Sequence, residues 1–172
     1  VVILNHPRNF HNSFQPFAPI HFNDVTGENL RGPEFKFDAI EVLNSSALQS
    51  DIMVGFRDWF ALLNYGYRIT AVGSSDVHDV SRYIVGQGRT YIECDDSVPS
   101  EIPVEAACKS IRDGRALVSM GLLTRIRVED QFRVGDLARV SGDTIRIEVT
   151  VMGPSWIEAD HLTLFANGLP VR

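Results

Sequence analysis

The sequence predicts an α/β fold, a parallel sheet with helices, followed by a small antiparallel β appendage. The chain opens with four consecutive apolar residues, Val1 to Leu4, which is typical of a strand buried on both faces. Strand and helix patterns then alternate along the chain, as in parallel α/β sheets. After Gly121 only segments of alternating apolar and polar residues remain, with turns between them. We therefore divide the chain into residues 1–121 and a β-rich C-terminal appendage, residues 122–172.

The first strand is followed by a long segment, residues 9–36, that is rich in proline and glycine and has only short apolar stretches. Loops of this length are usually functional or disordered. A strand buried on both faces rarely starts a domain without neighbours, so we expect the chain to be part of a longer protein. The exposed edge of Val1 to Leu4 would then seek another partner, and self-association through it is expected.

Two segments have helical periodicity. Residues 51–66 carry apolar side chains at i, i+4, i+7, i+8 and i+11 and end at Gly66. Residues 103–114 begin with Pro103, which suits a first helical turn, and end with Gly114. The remaining strands of this part are predicted at "DAIEVLN" (38–44), "RITAVGSSDVH" (68–78) and "RTYIE" (89–93).

Composition excludes several classes of protein. The formal net charge of −6, with no basic block, argues against nucleic-acid binding, and no apolar run of about 18 residues predicts a membrane helix. The N-terminus lacks the pattern of a signal peptide, and the compartment stays open. Cys94 and Cys108 are interpreted as two thiols rather than a disulfide framework. Trp156 is interpreted as a core residue rather than an exposed recognition aromatic.

Possible metal ligands follow three predicted strands. His6 follows the first, Glu41 and Asn44 lie in and after the second, and the third ends in Asp76-Val-His78. Ligands in α/β sheets bind at the carboxyl ends of the strands, and imidazole with carboxylate suits zinc, manganese or iron. These residues together therefore indicate a metal site.

Each piece also has a structural interpretation. A histidine before proline is often a turn residue, and Asp-x-His arises easily by chance. Glu41 lies between Ile40 and Val42, so its carboxylate needs either a metal or a partner such as an arginine. The other three histidines are expected to face solvent: His11, His21 and His161.

The segments "NHPR", "FDAIEVLN" and "LLNYGYRITAVGSSDVH" resemble the second half of the PHP (polymerase and histidinol phosphatase) superfamily of metallohydrolases, most closely its carbaryl-hydrolase-like branch. The resemblance covers residues 1 to about 121. The C-terminal strands resemble the usual extension of that branch. The superfamily's His-x-His element, its next histidine and its bridging glutamate have no counterpart in this chain.

The resemblance implies a distorted (β/α)7 barrel that holds one to three divalent ions at its mouth. By position, His6, Asp76 and His78 match metal ligands, and Glu41 with Asn44 matches a less uniform element near the site. Arg8 is a candidate for contact with substrate. The implied activity is metal-dependent hydrolysis of a small phosphoester, with Asp76 as a proton acceptor. An ester or carbamate hydrolase and a non-catalytic binding module remain alternatives. With only part of the metal cluster, this chain alone is expected to be inactive.

Overall fold

The computed structural model describes residues 1–8, 15–32, 35–45 and 51–171. A short 3-10 helix, Pro99–Glu101, precedes the second α-helix. The strands and α-helices along the chain are β1 (Ile3–Leu4), β2 (Phe22–Asn23), β3 (Glu28–Asn29), β4 (Ala39–Asn44), α1 (Met53–Tyr65), β5 (Thr70–Ser74), β6 (Arg89–Ile92), α2 (Val104–Arg112), β7 (Ala116–Ser119), β8 (Leu123–Val128), β9 (Phe132–Arg133), β10 (Ile147–Met152), β11 (Leu164–Ala166) and β12 (Leu169–Val171).

The central sheet has three parallel strands in the order β1, β4, β5. Ala39 of β4 is opposite Ile3 on one side and Thr70 on the other. Five of the six residues of β4 are buried, as expected for a middle strand covered by other elements. Because the strands are parallel, the residues that follow β1, β4 and β5 meet at one edge of the sheet.

Helix α1 connects β4 to β5 and packs on β4. Its N-cap residue is Ile52, which makes no side-chain capping bond, and Oδ1 of the preceding Asp51 accepts a hydrogen bond from the backbone N–H of Met53 at 2.9 Å. Its end is set by Gly66, which has φ +110° and donates its N–H to the carbonyl of Leu62 at 3.2 Å. Glycine adopts this left-handed conformation without steric cost, so the predicted stop is the observed one.

Aromatic residues of the long segment after β1 fill part of the core. Phe17 and Phe22 are almost completely buried, with ring centroids 4.3 Å apart. Phe35 stacks on Phe17 at 5.7 Å and meets Tyr67 edge-on at 5.2 Å. The described part of this segment therefore contributes aromatic residues to the core, and the sequence did not predict this because the segment has no regular periodicity.

The strands β6 and β7 pair antiparallel although α2 connects them. They pack against β5 at Gly73, whose N–H and carbonyl both bond the hydroxyl of Thr90, at 2.8 and 2.7 Å. This pair therefore does not extend the parallel sheet.

The C-terminal strands form two further antiparallel units. One has the order β10, β8, β9, and the other is the hairpin of β11 and β12. The hairpin attaches to α1, since Phe165 stacks on Phe60 at 5.7 Å and the amide of Asn64 donates to the carbonyl of Asn167 at 3.1 Å.

The prediction of a distorted (β/α)7 barrel is wrong. Among the described residues there are two α-helices, and twelve strands spread over several small sheets that form no closed barrel. A parallel barrel needs a crossover helix after each strand, and only α1 makes such a crossover between neighbouring parallel strands. The segment between β1 and β4 supplies aromatic core instead, and α2 leads into an antiparallel pair.

Trp156 is not the predicted core residue, because 82% of its surface is exposed. In the described residues, neither α-helix combines the length and the apolar character needed to span a lipid bilayer.

A candidate site at the carboxyl edge of the central sheet

Glu41 lies at the centre of the edge where β1, β4 and β5 end. It is 5% exposed, and its carboxylate accepts three hydrogen bonds. The backbone N–H of His6 donates to Oε2 at 2.6 Å, and the Asn44 amide donates to the same oxygen at 3.5 Å. The hydroxyl of Ser74 donates to Oε1. One side chain thus links the ends of three parallel strands.

These hydrogen bonds explain how a carboxylate can lie inside a buried strand. Among the described residues no cation forms an ion pair with Glu41, so the alternative of an arginine partner is not found there. Hydrogen bonds to charged groups contribute about 1.5–3 kcal/mol each, enough to offset much of the cost of burial. Both carboxylate oxygens of Glu41 therefore accept hydrogen bonds from the protein.

Two predicted ligands have unusual backbone conformations. His6 has φ +32° and Asp76 has φ +49°, in the left-handed region that residues other than glycine avoid. The other described non-glycine residues with positive φ are Glu129, Asp130 and Asn167, all in turns between antiparallel strands, where such values are ordinary. His6 and Asp76 instead follow parallel strands. Strain of this kind costs about 1–3 kcal/mol per residue and concentrates at functional sites.

Asp76 and His78 lie close together, but not through the predicted alternation of a strand, since β5 ends at Ser74 and Asp76 has a left-handed backbone. Asp76 Oδ1 lies 3.2 Å from His78 Nε2. The Asp76 side chain is 28% exposed and that of His78 is 84% exposed, so the pair opens to solvent. The two candidate ligands therefore lie next to each other after the end of β5.

The four predicted ligands do not form one cluster. Within the described ranges, no three histidine, cysteine, aspartate or glutamate side chains are grouped so that they could hold a metal ion. His6 contributes its backbone N–H to Glu41, and neither residue joins the Asp76–His78 pair. The donors present fit at most a single ion held by two side chains, which is fewer than a closed site supplies. Of the other histidines, His21 is half-buried, His161 is exposed, and His11 lies outside the described residues.

Arg8, the candidate for substrate contact, is engaged elsewhere. Its Nε and one terminal nitrogen donate to the two oxygens of Asp58, both at 2.6 Å, in a bidentate ion pair. The same terminal nitrogen lies 3.4 Å from Asp24. The hydrogen bond with Asp58 raises the pKa of Arg8, so the guanidinium stays charged. Burial raises the pKa of Asp58, and the bonds from Arg8 oppose that rise.

The sequence interpretation missed Asp58 and Ser74. Asp58 is 1% exposed and lies on the inner face of α1, next to Trp59. A charged residue among the apolar positions of an amphipathic helix was the available signal. Ser74 follows Gly73 at the end of β5, and nothing in its local pattern indicates that it would bond Glu41.

No protein-family model, curated protein or solved structure matches this chain.

Proposed function

We propose that the carboxyl edge of the central sheet is part of a metal-dependent hydrolase site that acts on small phosphoesters. The observation that carries the proposal is the Asp76–His78 pair, held 3.2 Å apart and open to solvent at the end of a parallel strand. The left-handed backbone of His6 and Asp76 at the same edge supports it. The resemblance of "NHPR" and "GSSDVH" to the PHP superfamily favours phosphoesters over esters and carbamates.

In this proposal the residues of the edge have different tasks. Asp76 and His78 would hold a divalent ion, which supplies hydroxide at neutral pH and polarises the substrate. The second carboxylate oxygen of Asp76 could accept a proton, while Oδ1 lies next to the imidazole of His78. Glu41 holds the three strand ends in register through His6 and Ser74. The His-x-His element, the next histidine and the bridging glutamate of the superfamily have no counterpart in this chain, so the chain alone is expected to turn over little substrate.

Metal binding provides the test. We expect calorimetric titration with manganese or zinc to show weak, saturable binding of one ion per chain, since two ligands are fewer than a closed site offers. His78→Ala should abolish this binding. His161→Ala is the matched control because His161 is exposed and lies in the C-terminal part of the chain. Equal metal affinity in wild type and His78→Ala would rule out the site.

Inorganic phosphate can separate the substrate classes. With manganese present, phosphate is expected to bind wild type but not His78→Ala, and acetate should not compete with it. If acetate binds as effectively as phosphate does, an ester substrate is favoured over a phosphoester substrate.

A non-catalytic binding module is the second candidate. It is favoured by two observations: the described residues contain no three-ligand group, and Trp156 is 82% exposed on the C-terminal part. Exposed tryptophan is enriched where proteins bind partners. Absence of any His78-dependent metal binding would move the assignment to this candidate.

A further inference from the structure

A cavity of about 720 Å³ lies where the α/β part meets the C-terminal strands. Its walls come from α1, the start of β5, the end of α2, β7, β8 and the loop after β9. No predicted metal ligand lines it, and it lies at the amino end of β5, away from Asp76 at the carboxyl end. Side chains that form its apolar walls are Phe56, Trp59, Ala71, Val118, Ile126 and Leu137.

The interior of the cavity offers few free polar groups. The indole N–H of Trp59 donates to the carbonyl of Ile69 at 2.7 Å, and the hydroxyl of Thr70 donates to the carbonyl of Ile111. Both donors are therefore already satisfied by backbone atoms. A ligand inside would gain by burying apolar surface rather than by hydrogen bonding.

One wall is fixed tightly to the α/β part. Arg115 donates to the carbonyl of Val134 and to the carboxylate of Asp136, both at 2.6 Å. At Gly135, a Cβ atom would lie 2.4 Å from the carbonyl oxygen of Asp113, so the two backbones are in direct contact. The cavity is thus built into the junction of the two parts, and its volume lies within the range of small-molecule sites.

The mouth of the cavity carries an excess of positive charge. Asp113 already pairs with Lys109, as Asp136 does with Arg115. Arg68 lies close enough to Asp113 to help lower the pKa of that carboxyl, and it also donates to the carbonyl of Gly135 at 3.5 Å. Among the described residues Arg112 forms no ion pair, so its guanidinium group is left at the mouth, although the chain as a whole has a net charge of −6.

We propose that this cavity binds an apolar small molecule that carries one acid group, with its apolar body between α1 and β7 and its acid group at Arg112. The apolar walls select the body, and the guanidinium group of Arg112 selects the acid by charge complementarity. This site is independent of the function proposed for the other end of the sheet.

Fluorescence with the dye 8-anilinonaphthalene-1-sulfonate tests the site on the whole chain. Dodecanoate is expected to displace the dye at a concentration about tenfold lower than dodecanol, since one charge-assisted hydrogen bond contributes that factor. Arg112→Gln should weaken dodecanoate by about tenfold and leave dodecanol unchanged. Ala116→Phe places a ring in the cavity and should prevent displacement by either compound.

Arg125→Gln is the matched control for the charge. Arg125 is exposed and adjoins Ile126 on β8, so its side chain points to the other face of the strand from the cavity wall. The Arg125→Gln variant should bind dodecanoate with the affinity of the wild type. The proposal is overturned if dodecanol displaces the dye as well as dodecanoate does, if Arg125→Gln weakens dodecanoate as much as Arg112→Gln, or if Ala116→Phe binds like wild type.

Discussion

Replacing Arg8 by alanine is expected to lower the free energy of unfolding by about 3–5 kcal/mol, the usual cost of breaking a buried ion pair from one side. The change leaves the carboxylate of Asp58, 1% exposed, without its bidentate partner. Asp58→Ala should cost less, because Arg8 is 29% exposed and can still reach water and Asp24. Urea denaturation of both variants measures this asymmetry.

The cost of Arg8→Ala should depend on pH with a definite sign. Burial already raises the pKa of Asp58, and loss of the guanidinium raises it further. A carboxyl whose pKa is higher in the folded state binds its proton more readily there, so folding gains as the pH falls through that pKa. The difference between wild type and Arg8→Ala should therefore shrink as the pH is lowered from 7 towards the ordinary aspartate pKa of about 3.9.

Arg57→Ala is the control for this prediction. Arg57 is on the same helix and pairs with Asp51, but both side chains are more than half exposed. Such a surface pair contributes about 0–1 kcal/mol. If Arg8→Ala cost no more than Arg57→Ala, the pair with Asp58 would not stabilise the fold, and Arg8 would again be free for substrate.

The local pattern of apolar and polar residues predicted most helices and strands of the α/β part but not how they are arranged. The spacing of apolar residues placed α1, and Gly66 marked its end, because both signals depend on neighbours in sequence. Whether strands pair parallel or antiparallel depends on distant contacts. The strand after α2, β7, was not predicted, and the alternation of strands and helices suggested that β6 belongs to the parallel sheet, whereas β6 pairs antiparallel with β7.

The candidate site also combines a feature that was predicted from local sequence with features that depend on distant contacts. The prediction that Asp76 and His78 would lie close together rested on the period of two residues along a strand. Strand β5 ends at Ser74 and Asp76 has φ +49°, so the irregular segment after the strand, rather than the strand itself, sets their distance. The environment of Glu41 was not predictable, since its partners His6 and Ser74 lie 35 and 33 residues away in sequence. The aromatic core residue Phe17 was missed for a related reason: an irregular segment buries side chains without any period.

Gly55→Ala is expected to destabilise the fold by about 2–3 kcal/mol, although alanine is the better helix former. A Cβ atom at Gly55 would lie 2.3 Å from the carbonyl oxygen of Val42 and 2.9 Å from its Cα. These are backbone atoms of the central strand and cannot rotate away, so α1 must lift from β4. The gain in helix propensity, roughly 1 kcal/mol, does not offset such overpacking.

Gly32→Ala is the matched control for Gly55→Ala, because no described atom lies within 4 Å of its Cβ position and its φ is not positive. Its stability should be unchanged or raised by up to about 1 kcal/mol through the unfolded state. Since Val42 adjoins Glu41, lifting α1 should also disturb the strand that carries the centre of the candidate site, and manganese binding should weaken in Gly55→Ala but not in Gly32→Ala. Thermal unfolding and calorimetry measure the two effects separately. A Gly55→Ala variant as stable as wild type would mean that α1 does not contact β4 as closely as the structure shows.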